Sequence, residues 1–388
     1  NGIQFFYLIL QIIEILLNFQ DENEEHIAQR VVFILGSNEF YSKINFLFDI
    51  QSTEIQRTIS YIYHDTLFEI DSSPQSKQIF IDILETFFQR SYIWASYQDE
   101  ELRSTCLDFH LLIYKLFDSS TAIDEFNILS SENLSKLNEL YLLLLQTGTP
   151  HIKKIALKCL SYLIKCTKAI TIDPQEMIPF VVSLLHESNG EFDYQILEYL
   201  FYLIVLITDT QYYEDNPLFP YQFFDFPDLY NRLLTSDEST KIFIAVILNN
   251  LAQLGPEAAT ILIQPEFFAC AATLFQNASY STLLIFTGIF KNLFLTVTSE
   301  QAMMIFQSGI IAPMLQFFSN SMQSNVVICM KSLCCAAEKC FEAFGDQAKK
   351  VLREAFTGVS ISSMEEFLQN KETQELVENL LNFLDIEL

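Results

Sequence analysis

The sequence predicts an all-α fold built from stacked helical repeats, and the main reason is a fixed interval within the chain. Asn250-Leu251-Ala252 recurs as Asn292-Leu293-Phe294, 42 residues further on. The same interval carries Leu233 onto Phe275 and then onto Phe317. Half of the residues are apolar and the chain has only 9 Gly and 10 Pro, a composition that favours helices with thick cores over sheets.

An interval in the low forties with helical patterning inside each unit is typical of armadillo and HEAT repeats, which stack two or three helices per unit. We therefore expect residues 1–388 to form one right-handed superhelical armadillo (HEAT-like) repeat solenoid of about nine units. Regular 42-residue repeats are expected over 226–340 and a C-terminal capping repeat over 341–388. Intermediate repeats are expected over 134–225 and divergent N-terminal repeats over 1–133.

Each clear unit is predicted to contain a short helix, a second helix that ends in an apolar pair, a polar turn and a longer third helix. The apolar pairs are Leu144-Leu145, Leu184-Leu185, Leu233-Leu234, Phe275 and Phe317-Phe318. Their one long interval indicates an insertion, which we place in the Tyr- and Pro-rich stretch 209–228. Earlier in the chain, apolar periodicity and capping residues predict helices over 26–35, 44–48, 54–63, 78–88, 104–117, 134–146, 151–168, 178–185 and 195–208.

The net charge limits the class of partner. The chain has 22 Lys and Arg against 49 Asp and Glu, a formal charge of −27. A general basic surface for nucleic acid is therefore excluded. The acidic residues either attract basic partners or only keep an apolar solenoid soluble.

One predicted helix, 151–168, departs from this acidic character. It contains five lysines and no acidic residue; the lysines are Lys153, Lys154, Lys158, Lys165 and Lys168. Two interpretations stay open: a solvated lysine face balanced by neighbouring acids, or a docking site for an acidic partner.

No motif for catalysis, metal binding or membrane insertion is present. The five His are scattered, and the chain lacks the zinc-protease motif, a phosphate-binding glycine loop and the nucleophile-elbow motif. We expect no enzyme activity, no cofactor and no metal site, and we interpret the eight Cys as small core residues in a reducing compartment. The apolar N-terminal stretch Asn1–Leu17 is interrupted by Gln4, Gln11 and Glu14, so we expect a buried solenoid helix rather than a membrane span.

Several segments resemble one armadillo family, importin-alpha, the nuclear import adaptor. Gly309–Leu315 resembles the start of a late repeat in that family, and Ala336–Lys339 resembles the closing helix of the same repeat. Met364–Glu375 is similar to the family's terminal capping repeat, and Leu160–Leu163 is similar to a helix of its fourth repeat. The resemblance is most continuous over 226–388.

The resemblance implies an adaptor whose inner groove holds basic nuclear-localisation peptides of cargo proteins. In the family, third helices line the groove with Trp-x-x-x-Asn motifs; the Asn amide clamps the peptide backbone and Trp rings sandwich lysine stems. Asn250 and Asn292 stand where two of those asparagines would, and Tyr162 stands at the matching position of an earlier helix. The resemblance also implies cytoplasmic and nuclear localisation and recruitment of importin-beta through a segment that this chain does not contain.

This chain departs from the family at the tryptophan positions, which hold Val246, Gly288 and Lys158. Lys165 falls where the family is acidic, and Trp94, the single Trp, cannot be placed on any third helix. The alternative function is therefore a structural or regulatory armadillo scaffold that has lost the peptide groove. A HEAT-like karyopherin carrier is a third possibility.

Overall fold

A computed structural model describes most of the chain, and every regular element in the described part is helical. The described residues are 50–69, 87–118, 131–167, 174–187, 194–209, 224–318, 324–356 and 362–385, together with Ile13 and Leu47. The rest of Asn1–Leu17, the predicted helix 26–35 and most of the predicted insertion 209–228 lie outside these residues. The chain divides into two compact units: unit 1 is Asn1–Asp173 with Glu187–Leu203, and unit 2 is Pro174–His186 with Ile204–Leu388.

The helices are numbered in chain order. They are α1 (Thr53–Glu69), α2 (Glu100–Asp118), α3 (Ser131–Thr147), α4 (Pro150–Thr167), α5 (Pro174–Glu187), α6 (Tyr194–Thr208), α7 (Phe226–Thr235), α8 (Glu238–Leu251), α9 (Pro256–Leu262), α10 (Pro265–Asn277), α11 (Tyr280–Thr296), α12 (Ser299–Gln307), α13 (Ile311–Phe318), α14 (Ser324–Phe344), α15 (Asp346–Phe356), α16 (Ser362–Gln369) and α17 (Gln374–Phe383). A further helical segment covers 87–95. The helices predicted over 54–63, 104–117, 134–146, 151–168, 178–185 and 195–208 correspond to α1 to α6. Of the predicted helices 44–48 and 78–88, only residue 47 and residues 87–88 lie within the described residues.

Helices of unit 2 pack in three rows. The third helices α8, α11, α14 and α17 each pack against the next, and the second helices α7, α10, α13 and α16 do the same. The first helices α9 and α12 lie against α11 and α14, respectively, and α15 packs on both α12 and α14. The repeats α9–α11, α12–α14 and α15–α17 therefore each contribute one helix to each row, as expected for three-helix repeats.

The repeat interval of the sequence reappears in the hydrogen bonds between successive repeats. Bonded pairs 41 to 44 residues apart include Gln301–Thr260, Lys331–Glu372, Asn250–Thr208, Asn292–Asn249 and Thr296–Ala252. Groups one interval apart in sequence are thus neighbours in space. The periodicity of the sequence is the periodicity of the packing.

Polar caps fix where the third helices begin. The Asp237 side chain accepts a hydrogen bond from the Thr240 backbone N–H at 3.0 Å at the start of α8. Ser279 accepts one from the Thr282 N–H at 3.3 Å at the start of α11. Gly309, between α12 and α13, has φ 78°, a conformation that favours glycine. Asp237 and Ser279 thus satisfy N–H groups that the helix starts would otherwise leave free.

Phenylalanine forms much of the core of unit 2. Phe267 contacts Phe286 and Phe290 with ring centroids 6.2 and 5.7 Å apart, and Phe294 links Phe290 to Phe306. All five rings are at most 1% exposed. Each fully buried ring contributes about 1.5–3 kcal/mol relative to an exposed one.

Unit 1 stacks α1, α2 and α4 in that order, with α3 against α4. Trp94, which the sequence did not place, is a core residue: it is 2% exposed and packs edge-on to Phe87 at 5.8 Å. Phe87 also meets Phe109 edge-on at 4.5 Å.

The same core contains a buried polar chain around His110. Its Nε2 lies 2.8 Å from the Ser91 hydroxyl and its Nδ1 lies 2.9 Å from the Tyr141 hydroxyl. Tyr141 in turn lies 2.6 Å from the Tyr114 hydroxyl. Burial lowers the pKa of His110 to about 3, so the imidazole is neutral at physiological pH.

The cysteines behave as small core residues. All eight are free, and seven are buried while Cys335 is exposed. Cys159 and Cys166 donate to the carbonyls of Leu107 and Tyr114 in the preceding repeat, at 3.4 and 3.0 Å. Their thiols therefore satisfy backbone oxygens between repeats.

Candidate functional site

The third helices of unit 2 present the surface on which the sequence places the peptide site. We call one row of exposed or half-buried side chains along α8, α11 and α14 the unit 2 face. It comprises Val246, Asn249, Leu284, Gly288, Lys291, Leu295, Ile328, Lys331 and Cys335. Leu295 and Ile328 are 56% and 42% exposed, so this face has a marked apolar character.

Asn250 lies at the edge of this surface with its amide directed into the protein. The residue is 9% exposed. Its Nδ2 donates to the Thr208 hydroxyl at 3.1 Å and to the Val205 carbonyl at 3.3 Å, both on α6. Both donor bonds of the amide are thus made within the chain.

Asn292, on the adjacent third helix, is oriented in the same way. It is 7% exposed, and its Nδ2 donates to Asn249 Oδ1 at 3.0 Å. The structure therefore brings Asn250 and Asn292 onto neighbouring helices, and each amide links its own helix to the preceding third helix.

Gly288 explains why no aromatic ring stands one turn before Asn292. A Cβ atom at Gly288 would lie 2.9 Å from Asn249 Oδ1, closer than ordinary contact. The space beside Gly288 is therefore occupied by the Asn249 amide, which also accepts the bond from Asn292. Sequence reasoning missed Asn249; the doubled Asn249-Asn250 was the signal that could have identified it.

Tyr162, the third predicted site residue, belongs to α4 in unit 1. It is half-buried, and the Lys165 ammonium lies 5.9 Å from the centre of its ring. Lys154, Lys158 and Lys165 occupy the same side of α4, and we call these three the lysine row.

Contacts with both flanking third helices show which surface this side of α4 belongs to. The Lys158 ammonium lies 4.6 Å from the centre of the Tyr199 ring on α6. His151 Nε2 lies 3.1 Å from the Ser104 hydroxyl on α2. The lysine row therefore lies on the surface that the third helices of unit 1 share, which we call the unit 1 face.

A half-buried carboxylate, Asp108 on α2, lies among these cationic groups. Burial raises its pKa, whereas the charges of His64, His151, Lys158 and Lys115 act in the opposite direction. The charge environment of Asp108 is thus dominated by cations from α1, α2 and α4.

Ser104, His151 and Asp108 are residue types used for nucleophilic catalysis, but their arrangement differs from a relay. In a relay, the carboxylate bonds to the imidazole nitrogen opposite the serine. Although both residues are among those described, Asp108 acts on His151 through its charge alone, without a hydrogen bond. Across the described ranges, no group of three or more His, Cys, Asp or Glu side chains could hold a metal ion.

In the part of the chain that is described, no single helix is long and apolar enough to span a membrane. The pairs α9–α10 and α12–α13 pass by length and composition only when their two members, bent by 71° and 81°, are counted together.

Comparison with known proteins identifies the fold. No protein-family model and no curated protein matches the sequence. A chain from a structural study of the conserved phosphorylation switch that controls the interaction between cadherin and beta-catenin is similar over 96% of this chain and 68% of its own length, at 13% identity and TM-score 0.62. An engineered protein is similar over 97% of this chain and 98% of its own, at 12% identity and TM-score 0.59. At these identities the likeness concerns the fold, and it confirms an all-α, armadillo-type repeat solenoid.

Proposed function

We propose that this chain is a non-enzymatic scaffold that binds an extended segment of a partner protein on its third-helix faces. One observation carries the proposal: α8, α11 and α14 pack side by side and leave an uncovered row of side chains. Leu295 and Ile328 are large apolar members of that row, and such groups gain free energy when a partner covers them. The similarity to a chain from a study of the interaction between cadherin and beta-catenin supports the same class of function.

The dimensions of the face suit an extended segment. Packed helices lie about 8–10 Å apart, and an extended chain advances about 3.3 Å per residue, so about three residues pass each repeat. Asn249 is half-buried and held through its Oδ1 by Asn292, and its NH2 group is placed to serve a backbone carbonyl of the segment.

The test compares two substitutions of similarly exposed apolar residues. Ile328→Glu changes the unit 2 face, whereas Met304→Glu changes α12, a first helix; the two residues are 42% and 49% exposed. We expect partners captured from a cell extract by the wild type and by Met304→Glu to be lost from Ile328→Glu. Circular dichroism should show equal helix content in all three proteins. Identical captured partners for both variants would contradict the proposal.

A second candidate is an importin-alpha-like adaptor, which would bind basic nuclear-localisation peptides of cargo and act between cytoplasm and nucleus. Two features favour it: Asn250 and Asn292 lie on adjacent third helices, and the chain carries a charge of −27. The family resemblance of 226–388 supports it further, and a segment outside this chain would recruit importin-beta. The amides of both asparagines would have to exchange their internal bonds for bonds to the peptide.

Titration calorimetry with a lysine-rich localisation peptide tests the adaptor. We expect a dissociation constant on the order of micromolar that weakens with salt, and loss of affinity in Asn250→Ala with Asn292→Ala. Thr208→Ala is the matched control, because it removes the same bond between α6 and α8 but leaves the Asn250 amide in place. No heat of binding at low salt would exclude the adaptor and leave the scaffold untouched.

A further inference from the structure

We infer that the lysine row of α4 is a docking surface for an acidic, extended segment of a partner protein. The inference rests on the proposed scaffold function and names the chemistry of the partner that the unit 1 face receives. Three observations carry it: the charge of α4, the position of its lysines and the aromatic rings beside them.

The charge of α4 is opposite to that of the chain. Pro150–Thr167 contains Lys153, Lys154, Lys158 and Lys165 and no acidic residue, within a protein of formal charge −27. Lys115 on α2 adds a further exposed cation on the preceding third helix. A surface of this sign complements a carboxylate-rich segment and repels a lysine-rich one.

The lysines are placed where a segment crossing the third helices would meet them. Lys154 and Lys158 are one helical turn apart, about 6 Å, and Lys165 follows about 10 Å further along. Contacts of this side of α4 with Ser104 and Tyr199 place the row on the surface shared by three successive third helices. A segment that follows the repeats therefore passes over the row.

Aromatic rings hold the lysine side chains at this surface. The Lys158 ammonium lies 4.6 Å from the Tyr199 ring centre, and the Lys165 ammonium lies 5.9 Å from that of Tyr162. A cation held over a ring keeps its charge and loses part of its side-chain freedom before binding, which reduces the entropic cost of docking. This gives Tyr162 a positioning role that differs from the peptide clamp that the sequence suggested.

The overall charge favours a short protein segment over a nucleic acid. At physiological ionic strength, charges interact over about 8 Å, so a segment on the lysine row is affected mainly by the groups beside it. A long polyanion would extend beyond the row and meet the acidic remainder of the chain. Beside the row, Asp108 is a half-buried carboxylate that opposes an acidic ligand.

Fluorescence anisotropy with a labelled peptide tests the inference. The probe is an extended peptide of about twelve residues that alternates Glu with Ser or Gly, long enough to cross about four helices. We expect salt-sensitive binding by the wild type and a loss of about tenfold or more in Lys154→Glu with Lys158→Glu. The control, Lys350→Glu with Lys371→Glu, makes the same change in net charge at exposed lysines of α15 and the turn before α17, and should change affinity less than about twofold.

A third variant tests the inference in the opposite direction. Asp108→Asn removes the carboxylate beside the row while keeping its shape, and we expect the acidic peptide to bind several-fold more tightly. Circular dichroism and thermal unfolding of each variant should show that the fold is retained.

Three results would overturn the inference: no binding at low salt, equal loss in the control, or equally tight binding of a single-stranded RNA of the same charge. The last result would indicate a general polyanion site. Failure here is distinguishable from failure of the scaffold, because the scaffold is tested on the unit 2 face by Ile328→Glu. If Ile328→Glu loses its partners while Lys154→Glu with Lys158→Glu binds the acidic peptide as the wild type does, the scaffold function is supported. The lysine row is then rejected as a docking surface.

Discussion

The two third-helix faces share one packing scheme and differ in chemistry. In unit 1, α1, α2 and α4 stack with lysine, histidine and tyrosine on the exposed side and with Asp108 half-buried among them. In unit 2, α8, α11 and α14 stack in the same way and leave aliphatic side chains, an amide, a thiol and the two lysines Lys291 and Lys331 exposed or half-buried. The buried side of each helix must fit its neighbours, whereas the exposed side is free of that constraint. One repeat architecture can therefore present different binding chemistries along one chain.

The cores behind the two faces also differ. Unit 2 packs phenylalanine on phenylalanine, from Phe267 to Phe306. Unit 1 buries a hydrogen-bonded chain in which His110 joins Ser91 to Tyr141. A buried titratable group makes the stability of a core depend on pH. Acid should therefore destabilise the core of unit 1 more than that of unit 2.

Acid should produce the largest effect, and it should act on unit 1. The folded pKa of His110, about 3, lies below its ordinary value of 6.5, so between these values the unfolded chain binds the proton and the folded one does not. The contribution of His110 to the free energy of unfolding is therefore complete above pH 6.5. It falls by about 1.4 kcal/mol for each pH unit below that value, or by about 3 kcal/mol at pH 4. Trp94 lies in this core, so its fluorescence during urea unfolding measures the loss.

Two variants separate His110 from the other groups that titrate in acid. His110→Gln should flatten the pH dependence reported by Trp94, whatever its stability at pH 7. His151→Gln, at an exposed histidine of the same unit, is the control for replacing an imidazole outside the core. Equal slopes for His110→Gln and the wild type would contradict the assignment and leave the core of unit 1 no more acid-sensitive than its surface.

The sequence predicted the helices well because the interval that reveals them has a physical cause. Leu233, Phe275 and Phe317 recur 42 residues apart because each ends a second helix that packs on the next, α7 on α10 and α10 on α13. Hydrogen bonds between repeats follow almost the same interval. When apolar residues recur at the interval of the packing, a single sequence is enough to reveal that interval.

The candidate site was harder to predict, since the direction of a side chain depends on its neighbour in another helix. The interval placed Asn250 and Asn292 on adjacent helices, but Thr208 and Asn249 determine where their amides point. Likewise, composition revealed the lysines of α4, while their surface became clear only from the contact of Lys158 with Tyr199. Thr208, Asn249 and Tyr199 belong to no sequence motif that would identify them as partners.

On the unit 2 face, the pairing of Gly288 with Asn249 can be tested by a double-mutant cycle. Gly288→Ala gains up to about 1 kcal/mol of helix propensity, but the new methyl group displaces Asn249 Oδ1 and weakens its bond to Asn292, which costs about the same. We expect a nearly neutral change alone and a gain of about 1 kcal/mol in the Asn249→Ala background. The measurement is urea unfolding followed by far-ultraviolet circular dichroism. Equal gains in the free energy of unfolding in both backgrounds would show that the Asn249 side chain does not depend on the space beside Gly288.

The smallest predicted effect concerns Asp108. It shows whether the unit 1 face carries a net positive charge or whether Asp108 neutralises its lysines. Burial raises the folded pKa of Asp108 above its ordinary 3.8, so the folded state holds the proton more tightly and stability falls as pH rises through that range. Asp108→Asn should therefore raise the free energy of unfolding at pH 7 by a few tenths of a kcal/mol after solvent screening, and give no gain at pH 3. Destabilisation at pH 7 would mean that attraction to Lys158 and the two histidines outweighs burial. The carboxylate would then neutralise the lysine row, and the contrast between the two faces would be one of shape and not of charge.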